Sequence, residues 1–432
     1  MSLRELKHLK RLSSAELNSP RKLRPRRNAK PESVAKPFQD AVFSIPELQA
    51  HITAFLMAKD LVAMMSTCRA WFSLCAPVLY KTLSLQDHKN TGMPNIEKYG
   101  IYVQHLRLDF ANTLLEPMFH SFGLLHSLRT LHWSARGSLI HVIHVDEILG
   151  ALQSCPRLVS LHLGEVNVVY SGHDSKAPQT PINTHYPSPP GSPEPMLDED
   201  HNTLYSGHQL QELTLGGTKI TDEGLLRLLG IDVELVHDIS RKSPALTRLD
   251  VNSDRLTHKS GARILQECSR LEVMRVQSSK MASLELFQSD TVWPSAPLIK
   301  ELSLDFKVPG MDASFYLQNL NWAKTSIPKY STGEQKQIWS RLQSMVSLRN
   351  LEISGYPIDF RVVDDMSFAR QLETASVHLL LRRTDVHDDE KEAIVAKGDE
   401  WLSRHQGWSC HLHDGAESMS PRLEITYHKD TK

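Results

Sequence analysis

A short apolar pattern recurs along most of the chain and restricts its fold more than any other feature. Three apolar residues stand at positions i, i+3 and i+5, and the last two are spaced like side chains on one face of a β-strand. Each triplet therefore predicts a strand with one buried face. The triplets are Val103/Leu106/Leu108, Leu128/Leu131/Trp133, Leu158/Leu161/Leu163, Leu210/Leu213/Leu215, Leu246/Leu249/Val251, Leu271/Met274/Val276, Ile299/Leu302/Leu304 and Leu348/Leu351/Ile353.

Segments of helical pattern lie between the strands. The stretch ITDEGLLRLL resembles LTHKSGARIL, and in each a threonine, Thr221 or Thr257, is placed to cap a helix that leads to the next strand. A second pair of similar segments is LQSCPRL and LQECSRL. In these segments Cys155 and Cys268 lie just before a strand, where a small buried thiol is expected. Repeated strand–helix units of this kind are typical of leucine-rich repeats. We therefore predict an α/β solenoid with parallel strands on its concave face and helices on its convex face.

The triplets are unevenly spaced, and the longest interval holds an insertion. Residues 171–208 include KAPQTPINTHYPSPPGSPEPMLDED, which is too rich in proline, serine and acidic residues to pack a core, so we predict a disordered loop. Thr180, Ser188 and Ser192 each precede a proline and are candidate phosphorylation sites. The alternative is a plain spacer in which these dipeptides are incidental.

Further helices and a last strand are expected in the C-terminal half. A helical insertion is predicted at about 306–346, and Thr332 with Gln335 is placed as the capping box of its second helix. The expected elements are helices over 313–323, 333–345 and 389–404 and a strand over 422–428. Residues 360–410 show no clean triplet, which leaves the number of repeats open there.

Composition excludes several classes of function. The formal net charge of −1 does not favour nucleic acid, and no apolar run reaches the roughly 20 residues that span a bilayer. Five scattered cysteines without a CxxC pair indicate free thiols. His141 with His144, and Cys410 with His411 and His413, have ligand-like types but no second cluster at zinc spacing. The sequence also lacks nucleotide-binding and hydrolase motifs, so we expect no metal, no cofactor and no catalytic residue.

The N-terminal 37 residues differ in composition from the rest. They are rich in lysine, arginine, serine and proline and poor in large apolar side chains, which predicts a disordered basic tail over 1–37. The cluster KLRPRR at 22–27 has the composition of a nuclear import signal, and a solvated basic tail is the alternative. We expect the protein in the cytoplasm, the nucleus or both.

The segment before the first triplet has a compact helical pattern. Ser44 is placed as an N-cap with Glu47 as its capping-box partner, and Pro46 lies in the first turn. Asp60 is placed to cap a second helix, which we expect to end at Pro77. So short a unit buries too little surface to account for all its large apolar side chains. We infer that some of them face a partner. The alternative is a helical hairpin that closes the end of a domain.

The same segment resembles an F-box. The matching residues are Ile45-Pro46-Glu47-Leu48, Ile52, Phe55-Leu56, Asp60-Leu61, Cys68-Arg69-Ala70-Trp71 and Leu79-Tyr80. The resemblance implies that residues 38–85 bind the Skp adaptor of a cullin–RING ubiquitin ligase. The side chains that it implies at or under that interface are Ile45, Pro46, Leu48, Ile52, Phe55, Leu56, Leu61, Met64 and Trp71. Leucine-rich repeats directly after an F-box form a known family, which implies that residues 86–432 are the solenoid.

Polar side chains between the buried strand positions are expected to form the working surface of the solenoid. They are mixed in charge and rich in hydrogen-bonding groups, which suits a protein or peptide target better than a nucleic acid. The candidates for target binding are His105, Arg107, Asp109, His132, His162, Thr214, Arg248, Asp250, Arg275 and Glu352.

Together these features predict the substrate-recognition subunit of an SCF-type E3 ubiquitin ligase. The F-box would hold the Skp-type adaptor, and through it a cullin, while the repeats would hold an unidentified protein target. Such a subunit makes and breaks no bond, so we expect the chain not to be an enzyme. One alternative is a leucine-rich scaffold that works apart from ubiquitin. Another is a GTPase activator of the leucine-rich type, although that type has tight, even repeats and no F-box.

Overall fold

The structure of the protein is a computed structural model, and its described residues fall into two compact units. The first unit lies within residues 1–140 and 150–164, and the second within 141–149 and 165–432. The structure describes residues 45–86, 96–110, 122–135, 142–170, 209–231, 244–277, 281–288, 291–306, 330–355, 372–380, 392, 396, 399–400, 402–404, 407–413 and 422–428. Outside these residues lie the predicted tail, the insertion 171–208 with its three candidate phosphorylation sites, and the predicted helix over 313–323.

Helices and strands are mixed along the chain. The α-helices are α1 (Pro46–Phe55), α2 (Ala58–Met65), α3 (Arg69–Leu79), α4 (Ile96–Tyr99), α5 (Val145–Ser154), α6 (Asp222–Leu228), α7 (His258–Glu267), α8 (Leu284–Gln288) and α9 (Thr332–Gln343). The β-strands are β1 (Thr82–Gln86), β2 (His105–Phe110), β3 (Thr130–Ala135), β4 (Val142–His144), β5 (Ser160–Gly164), β6 (Asn167–Val169), β7 (Glu212–Gly216), β8 (Arg248–Asn252), β9 (Val273–Gln277), β10 (Glu301–Phe306), β11 (Asn350–Gly355), β12 (Thr374–Leu380), β13 (Trp408–His413) and β14 (Arg422–His428).

Residues 45–79 of the first unit contain three helices where the sequence predicted two. The hydroxyls of Ser66 and Thr67 donate to the carbonyls of Ala63 and Met64 at 2.6 and 2.7 Å, which turns the chain after α2. Side-chain bonds of this kind compete with the helical backbone pattern. Cys68 is then fully extended, and α3 starts at the next residue.

The helix boundaries also differ from the prediction at two prolines. Ile45, not Ser44, is the N-cap residue of α1, and Pro46 occupies its first turn, where the missing N–H costs little. Pro77 lies inside α3 and does not end it. Asp60 lies in the first turn of α2, for which Met57 is the N-cap residue.

The triplet strands of the first unit form a parallel sheet in the order β1–β2–β3–β5. Leu83, Leu106, Leu131 and Leu161 are in register across it, and all four are buried. A second buried row lies two residues further along each strand: Leu85, Leu108, Trp133 and Leu163. The predicted strands and their buried face are therefore confirmed in this unit.

The second unit contains a mostly parallel sheet. Strands β7 to β12 are parallel in chain order, and β14 and then β13 are added antiparallel to β12. The inner triplet residues are again buried, and Val377 and Ile425 continue the buried face into β12 and β14. The strand predicted over 422–428 is confirmed as β14. A separate pair, β4 and β6, forms a two-stranded parallel sheet.

Two of the three predicted helix caps in the second unit are found at the predicted residues. The hydroxyl oxygen of Thr221 accepts a hydrogen bond from the backbone N–H of Gly224. The hydroxyl oxygen of Thr257 accepts one from the backbone N–H of Lys259. Both predicted caps are therefore confirmed. The capping box of α9 is displaced by one residue: it consists of Ser331 and Glu334, and not of Thr332 and Gln335. In the predicted helix over 389–404, the described residues 392, 396, 399–400 and 402–404 are helical.

Cys155 and Cys268 are buried just before β5 and β9, as predicted. Burial raises the pKa of each thiol to about 12, so both are protonated at neutral pH. The Cys155 thiol lies 3.5 Å from the carbonyl oxygen of Phe122 and donates to it. These cysteines are core residues that lie just before a strand.

Candidate functional site

The three N-terminal helices share a small core. Leu61, Cys75 and Leu79 are buried together, and partly buried apolar side chains pack around them: Leu56, Ala58, Val62, Met64, Met65, Trp71 and Tyr80. The F-box resemblance placed Leu61 at or under the adaptor interface. It is 4% exposed and lies in the core beneath the helical surface.

A pair of large apolar side chains at the junction of α1 and α2 has no such cover. Phe55 is 85% exposed and Met57 is 67% exposed. Thr53, two residues earlier, is buried and donates to the carbonyls of Gln49 and Ala50 at 2.9 and 3.0 Å. Because Thr53 takes the inner face of the last turn of α1, Phe55 faces solvent. Burying a side chain of this size stabilises a complex by roughly 1.5–3 kcal/mol.

The remaining predicted partner-contacting residues lie at intermediate positions. Ile45, before α1, is 46% exposed. The half-buried members are Leu48, Ile52, Leu56, Met64 and Trp71. Pro46 lies in the first turn of α1, and the structure describes only its backbone. Sequence reasoning missed Met57, although its place directly after Phe55-Leu56 in an apolar run is the signal that could have found it.

Aromatic contacts join α3 and its C-cap residue to α4 within the same unit. The rings of Tyr80 and Tyr99 stack at 4.1 Å between centroids, and Phe72 lies 6.2 Å from Tyr99. The Lys98 ammonium is 5.2 Å from the Tyr99 ring, within range of a cation–π interaction. Burial, and next the neighbouring Tyr99, raise the pKa of the Tyr80 hydroxyl well above its usual value.

A polar surface is formed by strand residues that alternate with the buried ones, and we call it the polar strand face. In the first unit it contains Arg107, His132 and His162, which are in register on β2, β3 and β5. The imidazole rings of the two histidines stack at 4.0 Å with an angle of 8° between their planes. On the same face His105 shares a hydrogen bond of 2.8 Å with Thr130.

Asp109 departs from its predicted role on this face. Its side chain is 5% exposed, and its two oxygens accept from Arg107 Nε at 2.8 Å and from the Ser134 hydroxyl at 2.9 Å. A carboxylate buried in this way needs both donors to offset its lost hydration. Asp109 therefore positions Arg107 and is not itself available to a target.

The polar strand face of the second unit carries a network of charges. Arg275 bonds to Glu301 and lies 3.8 Å from Asp250. Burial raises the pKa of the Asp250 carboxyl above its ordinary value, while Arg275 opposes that shift. Of the other predicted residues, Thr214 is half-buried on β7, Arg248 half-buried on β8 and Glu352 exposed on β11.

Further members of this face come from β10 and β12. The hydroxyl of Ser303 donates to Glu352 at 2.9 Å, and His378 Nε2 lies 3.7 Å from the same carboxylate. Sequence reasoning missed Ser376 and His378. The signal that could have found them is the triplet Leu372/Ala375/Val377, in which a small alanine takes the middle position and all three residues are buried. The polar residues from the two units were thus predicted in type and strand, but not in their pairing.

The described residues contain neither a candidate metal site nor a candidate membrane span. Within them, no group of three or more histidine, cysteine, aspartate or glutamate side chains is arranged to hold a metal ion. Cys410 and His411 are consecutive on β13, so their side chains point to opposite sides of the strand. None of the described helices is long and apolar enough to cross a bilayer.

Comparison with known families identifies the helical segment. The family model described as F-box-like matches residues 46–86, which span α1 to β1. Residues 46–86 are an F-box-like domain. The core of Leu61, Cys75 and Leu79 and the exposed pair of Phe55 and Met57 therefore all belong to the F-box-like domain.

The chain shares a distant similarity with solved structures. Among solved structures, it is similar to the crystal structure of the Rad7 and Elc1 complex in yeast, at 12% sequence identity and a TM-score of 0.21. That similarity covers 82% of this chain and 93% of the other. A search of curated proteins gave no match.

Proposed function

We propose that this protein is the substrate-recognition subunit of an SCF-type E3 ubiquitin ligase. Its F-box-like domain binds a Skp-type adaptor, and through that adaptor a cullin. The polar strand face binds the protein that is to be ubiquitinated. The observation that carries the proposal is the exposure of Phe55 and Met57 inside the F-box-like domain.

The physical argument starts from the cost of that exposure. Two large apolar side chains, Phe55 and Met57, remain exposed to water, although Leu56 between them packs against the helical core. Exposed apolar groups of this kind mark protein interaction sites. The three-helix core of Leu61, Cys75 and Leu79 keeps the pair in a defined place, so little ordering is required when a partner binds.

The polar strand face supports the second half of the proposal. We interpret the repeated strands as leucine-rich repeats, because their buried positions recur in register from β1 to β3 and β5, and again from β7 to β11. In each unit, the alternate side chains of these strands form a row of hydrogen-bonding groups of both charges. Such a row distinguishes one protein target from another by the pairing that each target permits.

The proposed mechanism is proximity. Binding the target and the adaptor with one chain converts the encounter between a target lysine and a ubiquitin-loaded enzyme into an intramolecular event with a high effective concentration. The residues of this chain bind and orient, and none of them attacks a bond. The chain is therefore a non-catalytic subunit, and we place it in the cytoplasm, the nucleus or both.

Adaptor binding by the full chain tests the proposal. We expect the chain to bind a purified Skp-type adaptor, and the double variant Phe55→Ser with Met57→Ser to lose at least tenfold in affinity, as removal of about 1.5–3 kcal/mol per side chain implies. A matched control is Val292→Ser with Val346→Ser, which changes two exposed apolar residues of the second unit. No adaptor binding at micromolar concentration, or equal loss in both double variants, contradicts the proposal.

A further inference from the structure

Three polar side chains in one register row of the first unit form a distinct group on the polar strand face. Arg107, His132 and His162 occupy paired positions on β2, β3 and β5. Adjacent strands are about 4.8 Å apart, so the row extends over roughly 10 Å. The stacking of the two imidazole rings holds their nitrogens in fixed directions.

The donors of this row are unused within the described part of the chain. There, the ring nitrogens of His132 and His162 and the terminal nitrogens of Arg107 have no hydrogen-bonding partner, although Arg107 Nε is bound to Asp109. The neighbouring His105, by contrast, is paired with Thr130. Both stacked histidines are half-buried, and polar groups in such a position favour a partner that satisfies them.

The charge of the row is small and positive. Arg107 supplies one full positive charge, which the buried carboxylate of Asp109 partly offsets. Burial, followed by Arg107, lowers the pKa of His132, while burial, His132 and Arg107 lower that of His162. Other polar residues on the same face of β1, β2, β3 and β5 include Thr82, Ser84, His105, Thr130, Ser134 and Ser160. An anion would therefore meet one guanidinium and two neutral imidazole donors.

This geometry discriminates between ligands. A single metal ion would have to lie in both ring planes at about 2.0–2.1 Å from each nitrogen. Two rings that are nearly parallel and 4.0 Å apart do not allow that. A phosphate carries about −1.5 to −2 charges and favours several cations, whereas this row has one guanidinium beside a carboxylate. A single planar carboxylate matches the fork of one guanidinium.

We propose that Arg107, His132 and His162 form the subsite that receives an aspartate or glutamate side chain of the target. This inference rests on the proposed function and names the chemistry of the peptide that the polar strand face takes. Gly164 contributes to the shape of the subsite: a Cβ there would lie 3.5 Å from His162 Nε2 and 3.3 Å from the Ser134 Cβ. A larger side chain at this position would displace the His162 ring from its stacked position.

Peptide selection on the full-length chain tests the subsite. Random dodecapeptides displayed on phage are selected at neutral pH, and we expect the recovered sequences to be enriched in aspartate and glutamate. The best peptide is then synthesised with its acidic residue kept, replaced by glutamine, or replaced by phosphoserine. We expect the glutamine peptide to bind about tenfold more weakly and the phosphoserine peptide to bind no tighter than the original.

Variants of the chain test whether the preference for the acidic peptide comes from Arg107, His132 and His162. Arg107→Gln should remove the difference between the glutamate and glutamine peptides, and His132→Gln should reduce it. Arg107→Lys keeps a cation beside Asp109, and we expect it to fold normally and to retain part of the difference. His126→Gln changes an exposed histidine of the same unit that lies before β3 and outside the polar strand face, so it is the matched control and should bind like the unaltered chain.

The outcomes separate this inference from the ligase proposal. Recovery of no acidic peptide, a glutamate preference that persists in Arg107→Gln, or tighter binding of the phosphoserine peptide would each overturn the subsite. Adaptor binding without any acidic preference refutes the subsite alone. An acidic preference that depends on Arg107, in a chain that does not bind the adaptor, refutes the ligase proposal alone.

Discussion

The carboxylate of Asp222 accepts two hydrogen bonds from Thr257, one from its backbone N–H at 2.7 Å and one from its hydroxyl at 2.5 Å. Asp222 is the first residue of α6, and Thr257 is the N-cap residue of α7. A carboxylate in the first turn of α6 thus fixes the N-cap residue of α7, so it ties the starts of two successive helices together.

Removal of this carboxylate should destabilise the second unit. We expect Asp222→Ala to lower the free energy of unfolding by about 2 kcal/mol, because two hydrogen bonds to a charged group are lost at a partly buried site. Asp222→Asn keeps one acceptor oxygen and should cost less. Urea denaturation followed by circular dichroism measures both, and an alanine variant as stable as the unaltered chain would contradict this role.

In the F-box-like domain, Leu61 should matter for stability and Met57 for adaptor binding. Leu61→Ala leaves a cavity in the core and should lower the unfolding free energy by roughly 2–5 kcal/mol. Met57→Ala changes an exposed side chain and should leave the stability within about 0.5 kcal/mol while weakening adaptor binding. Thermal denaturation and an adaptor titration on each variant give the comparison. Equal stability losses would mean that Met57 is buried in solution.

The stacked histidines should make stability depend on pH. The pKa of each imidazole is lowered from the ordinary value of 6.5, so the unfolded chain takes up these protons at a higher pH than the folded chain. The neutral pair therefore contributes its full stabilisation above pH 6.5. That stabilisation is lost as the pH falls from 6.5 towards the lowered pKa of the folded state. The double variant His132→Gln with His162→Gln should therefore lose less stability between pH 7.5 and pH 5.5.

The same pair makes a second prediction that does not involve unfolding. His132 is one of the groups that lower the pKa of His162, after the larger effect of burial. Replacement of His132 by glutamine should raise the pKa of His162, which the pH titration of its imidazole proton signals by NMR measures. An unchanged midpoint would show that the two rings are further apart in solution than 4.0 Å.

The cysteines should differ sharply in reactivity. Cys68 is exposed just before α3, and the backbone N–H of Trp71 has the largest effect in lowering the pKa of its thiol. Burial raises the pKa of Cys155 and Cys268 to about 12. Iodoacetamide followed by peptide mass analysis should label Cys68 first and the two buried thiols only after denaturation. The variant Cys68→Ser is the control for the fast phase.

Local patterns in the sequence predicted the repeated elements correctly. The triplet spacing specifies which strand residues are buried, because alternate side chains of a strand face opposite sides. Thr221 and Thr257 were identifiable as caps because a cap bonds to residues two or three positions away. The segment around Phe55 was identifiable as F-box-like because its ordered motif occupies one continuous stretch.

Tertiary structure decided the features that join residues distant in sequence. Leu61 and Phe55 are both apolar residues in helical segments, and only the packing of α3 buries the first and leaves the second exposed. The antiparallel addition of β14 to β12, the bond from Thr257 to Asp222, and the stack of His132 on His162 depend on strand and helix order in space. By itself, the sequence determined the repeating strand and the F-box-like segment, since both arise from short-range spacing. Which side chains pair, and which remain exposed for a partner, was decided by packing between elements far apart in the chain.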